Sequence, residues 1–584
     1  MKSFPLPSGQ HAAKPHRALF WILFVLLILL HACIILGAEF FPFVDLPVHL
    51  AFSTQYRCLQ DPGHLYQDYY FPDRLIGRPN VFYTFFCAQP VFGSVMLAHK
   101  IFMLFYIILL PLSVWALVRS LGGDAWYSLF SFLYLYNYNL MYGFMGFAAS
   151  LPLVFFILAL FYIHLNRRSW TAAAGLALLL CALYSAHWIV FVFTLAVLSV
   201  LLLVSNRKSA GSFLVKGLGL LPGYLLFAWW MFSSRGTELQ DESRIREMFG
   251  TFSRDLLHEW WQRREFYVWD QSFLFPGRKG TWIATALALA VFLTAVCIRP
   301  SSPVRVLWKR ISRTAFIALA CVLAAGSAVL AFSGQRQFSH LSNRLGFFLF
   351  LGIAALFSAA WYSRKEWKRI RRPGVYMLLF VLMSASAVLL MPQTRHFYHS
   401  YYRFSVFLCL GLVILFSLAG SRPMGRIRIA CTAAACFAYG LLWYGYFRDF
   451  KADSSDFSRQ LFPDPARDRV LAGLIYDSGF RGQPVYRHFA NYYIVLKQGL
   501  LAPRTSDIRN TVYALRPKPA LLRFPVGFEG LAEGDRYKGQ FMELDDILVR
   551  GDIPMSQTRY FSGHSLKRSN GQWRLYQKNQ DAGL

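Results

Sequence analysis

The run "ALFWILFVLLILLHACIIL" (Ala18–Leu36) is followed at once by "EFFPFVDLPVHLAF" (Glu39–Phe52). The first stretch is apolar throughout and about as long as a bilayer crossing requires, roughly 20 residues. It carries no small-residue cleavage site behind a short apolar core, so it reads as a retained span and not as a removed signal peptide. Immediately behind it, Asp45 and His49 stand four residues apart among Phe, Val, Leu and Pro. A carboxylate that close to hydrocarbon costs free energy unless it is paired or put to use. Asp45 is therefore the first candidate functional residue.

Composition extends that reading to the whole chain. Of 584 residues, 56% are hydrophobic, 17% aromatic and only 15% charged, which is the signature of a polytopic membrane protein. A formal net charge of +30 invites a nucleic-acid reading, but the placement of the charges argues against it. They cluster between apolar runs, in "NRRSW", "SNRK", "RPSSPVRVLWKRISR", "SRKEWKRIRR" and "SRPMGRIR". Basic residues in short loops mark the cytoplasmic side of a membrane. No basic, aromatic-interleaved soluble module is present, so nucleic acid is not an expected partner.

Apolar runs fall near 18–38, 100–118, 124–137, 147–165, 170–186, 188–204, 212–232, 281–298, 314–332, 345–362, 374–391, 404–420 and 427–447. The expected fold is a polytopic α-helical membrane protein of about 13 transmembrane helices, one short run being a candidate for a re-entrant segment. With the N-terminus in the cytoplasm, all the basic clusters fall inside and the C-terminal part falls outside. Residues 1–447 then form the membrane domain, with outer loops at 39–99 and 233–279. In the latter, Ile245, Phe249, Phe252, Leu256 and Trp260 recur at helical spacing. They suggest an amphipathic helix, lying on the membrane or packed as a cap.

From 448 to 584 hydrophobicity drops and Pro, Gly, Asp and Arg rise, as expected for a small extracytoplasmic α/β domain. There "RDRVLAGLIYDSGF" reads as a helix ended by Gly479, "QPVYRHF" as a strand, and "SLKRSNGQWRLYQK" as a hairpin turning at Asn570-Gly571. No phosphate-binding loop, dinucleotide fingerprint or CxxC occurs, so nothing supports nucleotide-driven transport. Most cysteines lie in apolar runs without ligand spacing. Cys58 and Cys87 share the first outer loop, where a disulfide and two unrelated thiols are both open readings.

Two outward ends of spans share a pattern. "SHLSNRLGFFLFLG" (339–352) and "YHSYYRFSVFLCLG" (398–411) both read His-x-x-x-Arg-x-x-x-Phe-x-x-Leu-Gly, matching His340 to His399 and Arg344 to Arg403. His and Arg four apart share a helix face. At a helix N-terminus they suit an anion, and phosphate beside lipid is the natural one. The plainer alternative is an arginine that snorkels to the headgroups. His187 interrupts a long apolar stretch in "LYSAHWIVF", and Asn137, Asn139 and Tyr142 lie in "YNYNLMYGF". These four are candidates for substrate binding, or for ordinary polar turns.

With these features in place the chain resembles the GT-C superfamily of integral-membrane glycosyltransferases, which includes protein O-mannosyltransferases and the enzymes that add aminoarabinose to lipid A. The resemblance covers most of the chain. It implies an essential acidic residue near the start of the first outer loop, a role that falls on Asp45 in "FVDLPVHL". Arg344 and Arg403 open late spans much as arginines do in the family. Many members carry a second carboxylate beside the first; here Leu46 follows Asp45, and Glu39, Asp61, Asp68 and Asp73 are the carboxylates available. The metal requirement stays open, with Mg or Mn as the cation in question.

The resemblance implies transfer of a sugar from a polyprenyl-phosphate donor to an acceptor on protein, lipid or glycan, at the outer face of a membrane such as a bacterial inner membrane. Such transfer needs a base for the acceptor hydroxyl and positive charge for the departing phosphate. Asp45 is the expected base, with inversion at the anomeric carbon, and His49 one helical turn on would orient it. Arg344, Arg403, His340 and His399 would hold the phosphate. Aspartate followed two residues later by proline also fits a helix N-cap, which competes with the catalytic reading. A transporter or flippase would need charges near the midplane and two related halves. A surface-glycan polymerase or ligase would use the same outward Arg and His residues without depending on Asp45.

Overall fold

A computed structural model describes residues 14–72, 77–167, 169–205, 216–233, 373–390, 400–418, 424–502, 515–522 and 543–579. The expected loop helix within 233–279, the spans at 281–298, 314–332 and 345–362, and His340, Arg344, His399 and Asp73 lie outside the described residues.

The apolar runs form helices because a chain in hydrocarbon must satisfy its backbone polar groups internally. In chain order these are α1 (Lys14–Gly37), α2 (Leu46–Cys58), α3 (Tyr66–Tyr69), α4 (Phe82–Ala88), α5 (Val95–Ser120), α6 (Tyr138–Met141), α7 (Met145–Arg167), α8 (Trp170–Ala186), α9 (Trp188–Ser205), α10 (Leu221–Ser233), α11 (Pro373–Leu390), α12 (Ser400–Leu418) and α13 (Arg426–Asp453). Among the described residues, four stretches are long and apolar enough to cross a membrane, within α1, α5, α7 and α13. Shorter apolar helices make up α8 to α12. Helix α13 continues unbroken to Asp453, past the boundary expected at 447.

The run expected as a span at 124–137 takes another form. Ala125–Tyr134 winds as a ten-residue 3-10 helix, buried along nearly all its length. At about 2.0 Å of rise per residue such a run covers about 20 Å, against about 15 Å as an α-helix. Asp124 caps it, accepting from the Trp126 N–H at 3.2 Å and from the Met424 N–H at 2.7 Å. One carboxylate thus ties this segment to the start of α13.

The C-terminal part carries a five-stranded sheet in the order β3-β2-β5-β7-β6. Its strands are β2 (Val470–Ile475), β3 (Leu500–Leu501), β5 (Asp546–Arg550), β6 (His564–Asn570) and β7 (Trp573–Lys578). Strand β2 pairs parallel with β3 and β5, while β7 is antiparallel to β5 and β6. The helix expected at "RDRVLAGLIYDSGF" is instead β2, buried at all six positions. A central parallel strand covered on both faces reads as an unbroken apolar run, which periodicity alone cannot tell from a helix. The strand expected at "QPVYRHF" is a turn leading into a 3-10 helix at Phe489–Asn491. The β6–β7 hairpin is present, but Asn570 still belongs to β6, paired with Trp573, and the turn falls at Gly571-Gln572, one residue past the expected place.

This sheet region is fastened to the first loop. Strand β1 (Tyr70–Pro72) pairs antiparallel with β4 (Leu515–Pro517). The Tyr66 hydroxyl donates to the Gly499 carbonyl at 3.0 Å, and Arg467 pairs with Asp68. Phe40, just past α1, packs against Phe457, Phe489 and Tyr492 with ring centroids 4.9–6.0 Å apart. Aromatic pairs of that geometry add about 0.5–1.5 kcal/mol each beyond the area they bury.

Candidate active site

Asp45 occupies the position before α2 but does not cap it. Its side chain makes no capping hydrogen bond, and its φ of −91° and ψ of −2° are helical, not the extended conformation usual for a cap. The sequence explains why. Pro47, the second residue of the helix, has no N–H to offer, and the Val48 N–H is taken by the Asp45 carbonyl at 3.2 Å. The capping alternative is thereby set aside, and the carboxylate turns elsewhere. Its Oδ1 lies 3.3 Å from Nε2 of His488, with side chains 27% and 18% exposed.

The backbone at Asp45 is held from the other side. The Val44 N–H donates to the Met141 carbonyl at 3.1 Å and the Asp45 N–H to the Tyr142 carbonyl at 2.9 Å. This close approach depends on Gly143, whose φ is +90°; a Cβ there would lie 2.6 Å from Asp45 N. The turn of α6 is in turn set by Asn137, which accepts from the Asn139 N–H at 3.0 Å and donates to the Tyr106 hydroxyl at 2.9 Å.

Across the same turn sits Arg403. The Asn139 side-chain amide donates to the Arg403 carbonyl at 3.1 Å. The guanidinium lies 3.7 Å above the Phe144 ring and donates to Nε2 of His187 at 3.4 Å. Phe144 stacks on Tyr142, with centroids 4.8 Å apart. Asp45 and Arg403 therefore both contact one short segment, 138–144. His187 bridges α8 and α9, and the Val190 N–H points at its Nδ1 at 3.4 Å. A neutral imidazole accepts at only one ring nitrogen, so the Arg403 and Val190 N–H groups compete for that single acceptor.

His49 follows Asp45 by one turn, as expected, and its ring meets Tyr83 edge-on at 5.9 Å. Of the alternative carboxylates, Glu39 and Asp61 are exposed, and Asp68 is committed to Arg467. Sequence reasoning missed His488 and Phe144. His488 sits in no motif, and its segment was read as a strand. Phe144 looked like any other aromatic in a turn.

Cys58 and Cys87 are buried free thiols. Burial, with Asp61 adding to it, pushes the Cys58 thiol up to about 11. Burial pushes Cys87 to about 12, partly offset by a hydrogen bond to Tyr83. Among the described residues no three His, Cys, Asp or Glu side chains group so as to hold a metal ion.

No protein-family model matches the chain, and no curated protein matches it by sequence. Among solved structures it is similar to the Archaeoglobus fulgidus oligosaccharyltransferase, crystallised with Zn and sulfate. The match is at 14% identity and a TM-score of 0.42, over 96% of this chain and 73% of that one. Similarity of that degree carries neither the activity nor the metal across to this chain.

Proposed function

We propose that the chain is a membrane glycosyltransferase, moving a sugar from a polyprenyl-phosphate donor to an acceptor hydroxyl on the extracytoplasmic face. Residues up to α13 form the membrane domain, and the sheet region beyond it is the outward α/β domain. One observation carries this reading. An aspartate whose carboxylate is freed from its capping role and an arginine at the start of a late apolar helix both contact the same segment, 138–144.

Asp45 takes the proton of the acceptor hydroxyl as its oxygen attacks the anomeric carbon. The bond from that carbon to the phosphate oxygen breaks, with inversion, and the polyprenyl phosphate leaves with the electron pair. Arg403 holds the charge developing on the phosphate, as preorganised donors do at other leaving groups. Phe144 beneath the guanidinium and His187 beside it fix its direction, which lysine would not reproduce. Arg344, His340 and His399 are proposed to complete the phosphate site, and His49, Asn137, Asn139 and Tyr142 to shape the sugar pocket. Membrane lipid surrounds the donor's isoprenoid chain.

The test supplies polyprenyl-phosphate sugars to the purified protein in liposomes and follows release of free polyprenyl phosphate. Release that requires an acceptor supports the proposal. Movement of an intact donor across the bilayer without release would replace it with a flippase.

A further inference from the structure

The geometry points to His488, from the sheet region, as the positioning residue for the Asp45 carboxylate, so that the candidate site is complete only when that region is seated on α2. This inference rests on the transferase reading and deepens it. His488 Nε2 meets Asp45 Oδ1 at 3.3 Å, leaving Oδ2 for the acceptor proton. Both ends of the contact are fixed by independent anchors. On one side, Asp45 is held through its N–H to Tyr142. On the other, the His488 carbonyl accepts from the Asn491 backbone N–H at 3.1 Å and from its side-chain amide at 3.0 Å. The next residue, Phe489, is buried between Phe40 and Phe457, at centroid distances of 6.0 and 5.1 Å, and stacks on Trp573 at 6.2 Å.

The contact thus runs between two rigid segments, one in the first loop and one more than 400 positions later in the chain. A mere dock between the two parts would not need it. Arg467 to Asp68, Tyr66 to Gly499 and the β1–β4 pair already join them elsewhere. What His488 adds is direction: with no capping bond to hold it, the carboxylate takes its orientation from the His488 contact. Hydrogen-bond partners that orient metal-ligating side chains change affinity or activity by about 10–100-fold when removed, and a loss of that order is expected of a residue orienting a base.

The experiment compares kcat and KM for donor turnover in His488→Ala, His488→Gln, Arg467→Ala and Asp45→Asn, all as full-length protein in liposomes. Expected is a loss of about 10–100-fold in kcat for His488→Ala with KM little changed. His488→Gln, whose amide N–H reaches a similar place, should restore most of that loss. Arg467→Ala breaks an exposed ion pair between the same two parts and should leave kcat unchanged. Combining His488→Ala with Asp45→Asn should cost no more than Asp45→Asn alone. A wild-type kcat in His488→Ala, while Asp45→Asn is inactive, overturns the positioning role alone. Full turnover by Asp45→Asn overturns the transferase reading on which it rests. Equal losses in His488→Ala and His488→Gln, with lowered thermal stability in both, would reduce the contact to a dock and overturn the inference.

Discussion

Gly143→Ala is the sharpest structural perturbation of the site. The glycine has φ +90°, and an added Cβ would lie 2.6 Å from Asp45 N, 2.7 Å from Leu46 N and 3.0 Å from Asp45 C. All three are backbone atoms, so no side chain can swing aside. Ordinary contact begins at 3.4 Å, so the start of α2 must retreat by about 0.8 Å. A misplacement of about 1 Å costs on the order of 100-fold in rate when it falls on a reacting group. The left-handed backbone adds strain of about 1–3 kcal/mol for a non-glycine residue. The control is Gly122→Ala, just past α5, which has φ +77° and nothing within 4 Å. It carries comparable backbone strain without the clash. Donor turnover in liposomes and thermal unfolding in detergent should separate the two variants. Both lose stability, and only Gly143→Ala loses activity. Turnover by Gly143→Ala within about threefold of wild type, or an equal loss in Gly122→Ala, would refute the claim that this contact places Asp45.

Other expectations follow from particular side chains. Arg403→Ala should cost about 2–4 kcal/mol of transition-state stabilisation, by analogy with preorganised donors elsewhere. Arg403→Lys should fall between, because an ammonium keeps the charge but loses the planar stack on Phe144; kcat/KM for the donor measures both. With their thiols pushed up to about 11 and about 12, Cys58 and Cys87 should resist alkylation at pH 8 in the folded protein and react once it is denatured. Peptide mapping after iodoacetamide reads this directly, and rapid labelling of either thiol in the native protein would contradict their burial.

The apolar helices were legible because hydrocarbon leaves a chain few ways to satisfy its backbone. Their run lengths mark α1, α5, α7 and α13 plainly. The 124–137 run was legible as an apolar span but not as a 3-10 helix, and the bond from Met424 to Asp124 at its start, 300 positions apart, has no local signal. In the sheet region, the hairpin was legible because Gly571 takes the positive φ its turn needs, although the turn lies at Gly571-Gln572 and not at Asn570-Gly571. Strand β2 was not, because a doubly buried strand has no alternation to betray it. At the site, Asp45, Asn137, Asn139, His187 and Arg403 could be picked out as polar residues at the ends of apolar runs. What brings them together is long-range: Tyr142 against Asp45, Phe144 under Arg403, and above all His488, which carries no motif. Pro47 was visible from the start, but its effect runs opposite to the usual reading. It removes one of the two N–H donors that a capping aspartate can use, the other being that of Val48.

If Asp45 is the base of a lipid-linked sugar transfer, its carboxylate is indispensable to turnover. Wild type and Asp45→Asn, purified and reconstituted in liposomes with polyprenyl-phosphate sugars, should be compared for release of free polyprenyl phosphate. Wild type should show acceptor-dependent release and Asp45→Asn none, at near-wild-type thermal stability, since no capping bond is lost and the asparagine oxygen can still meet His488. Equal release by the two proteins would contradict it.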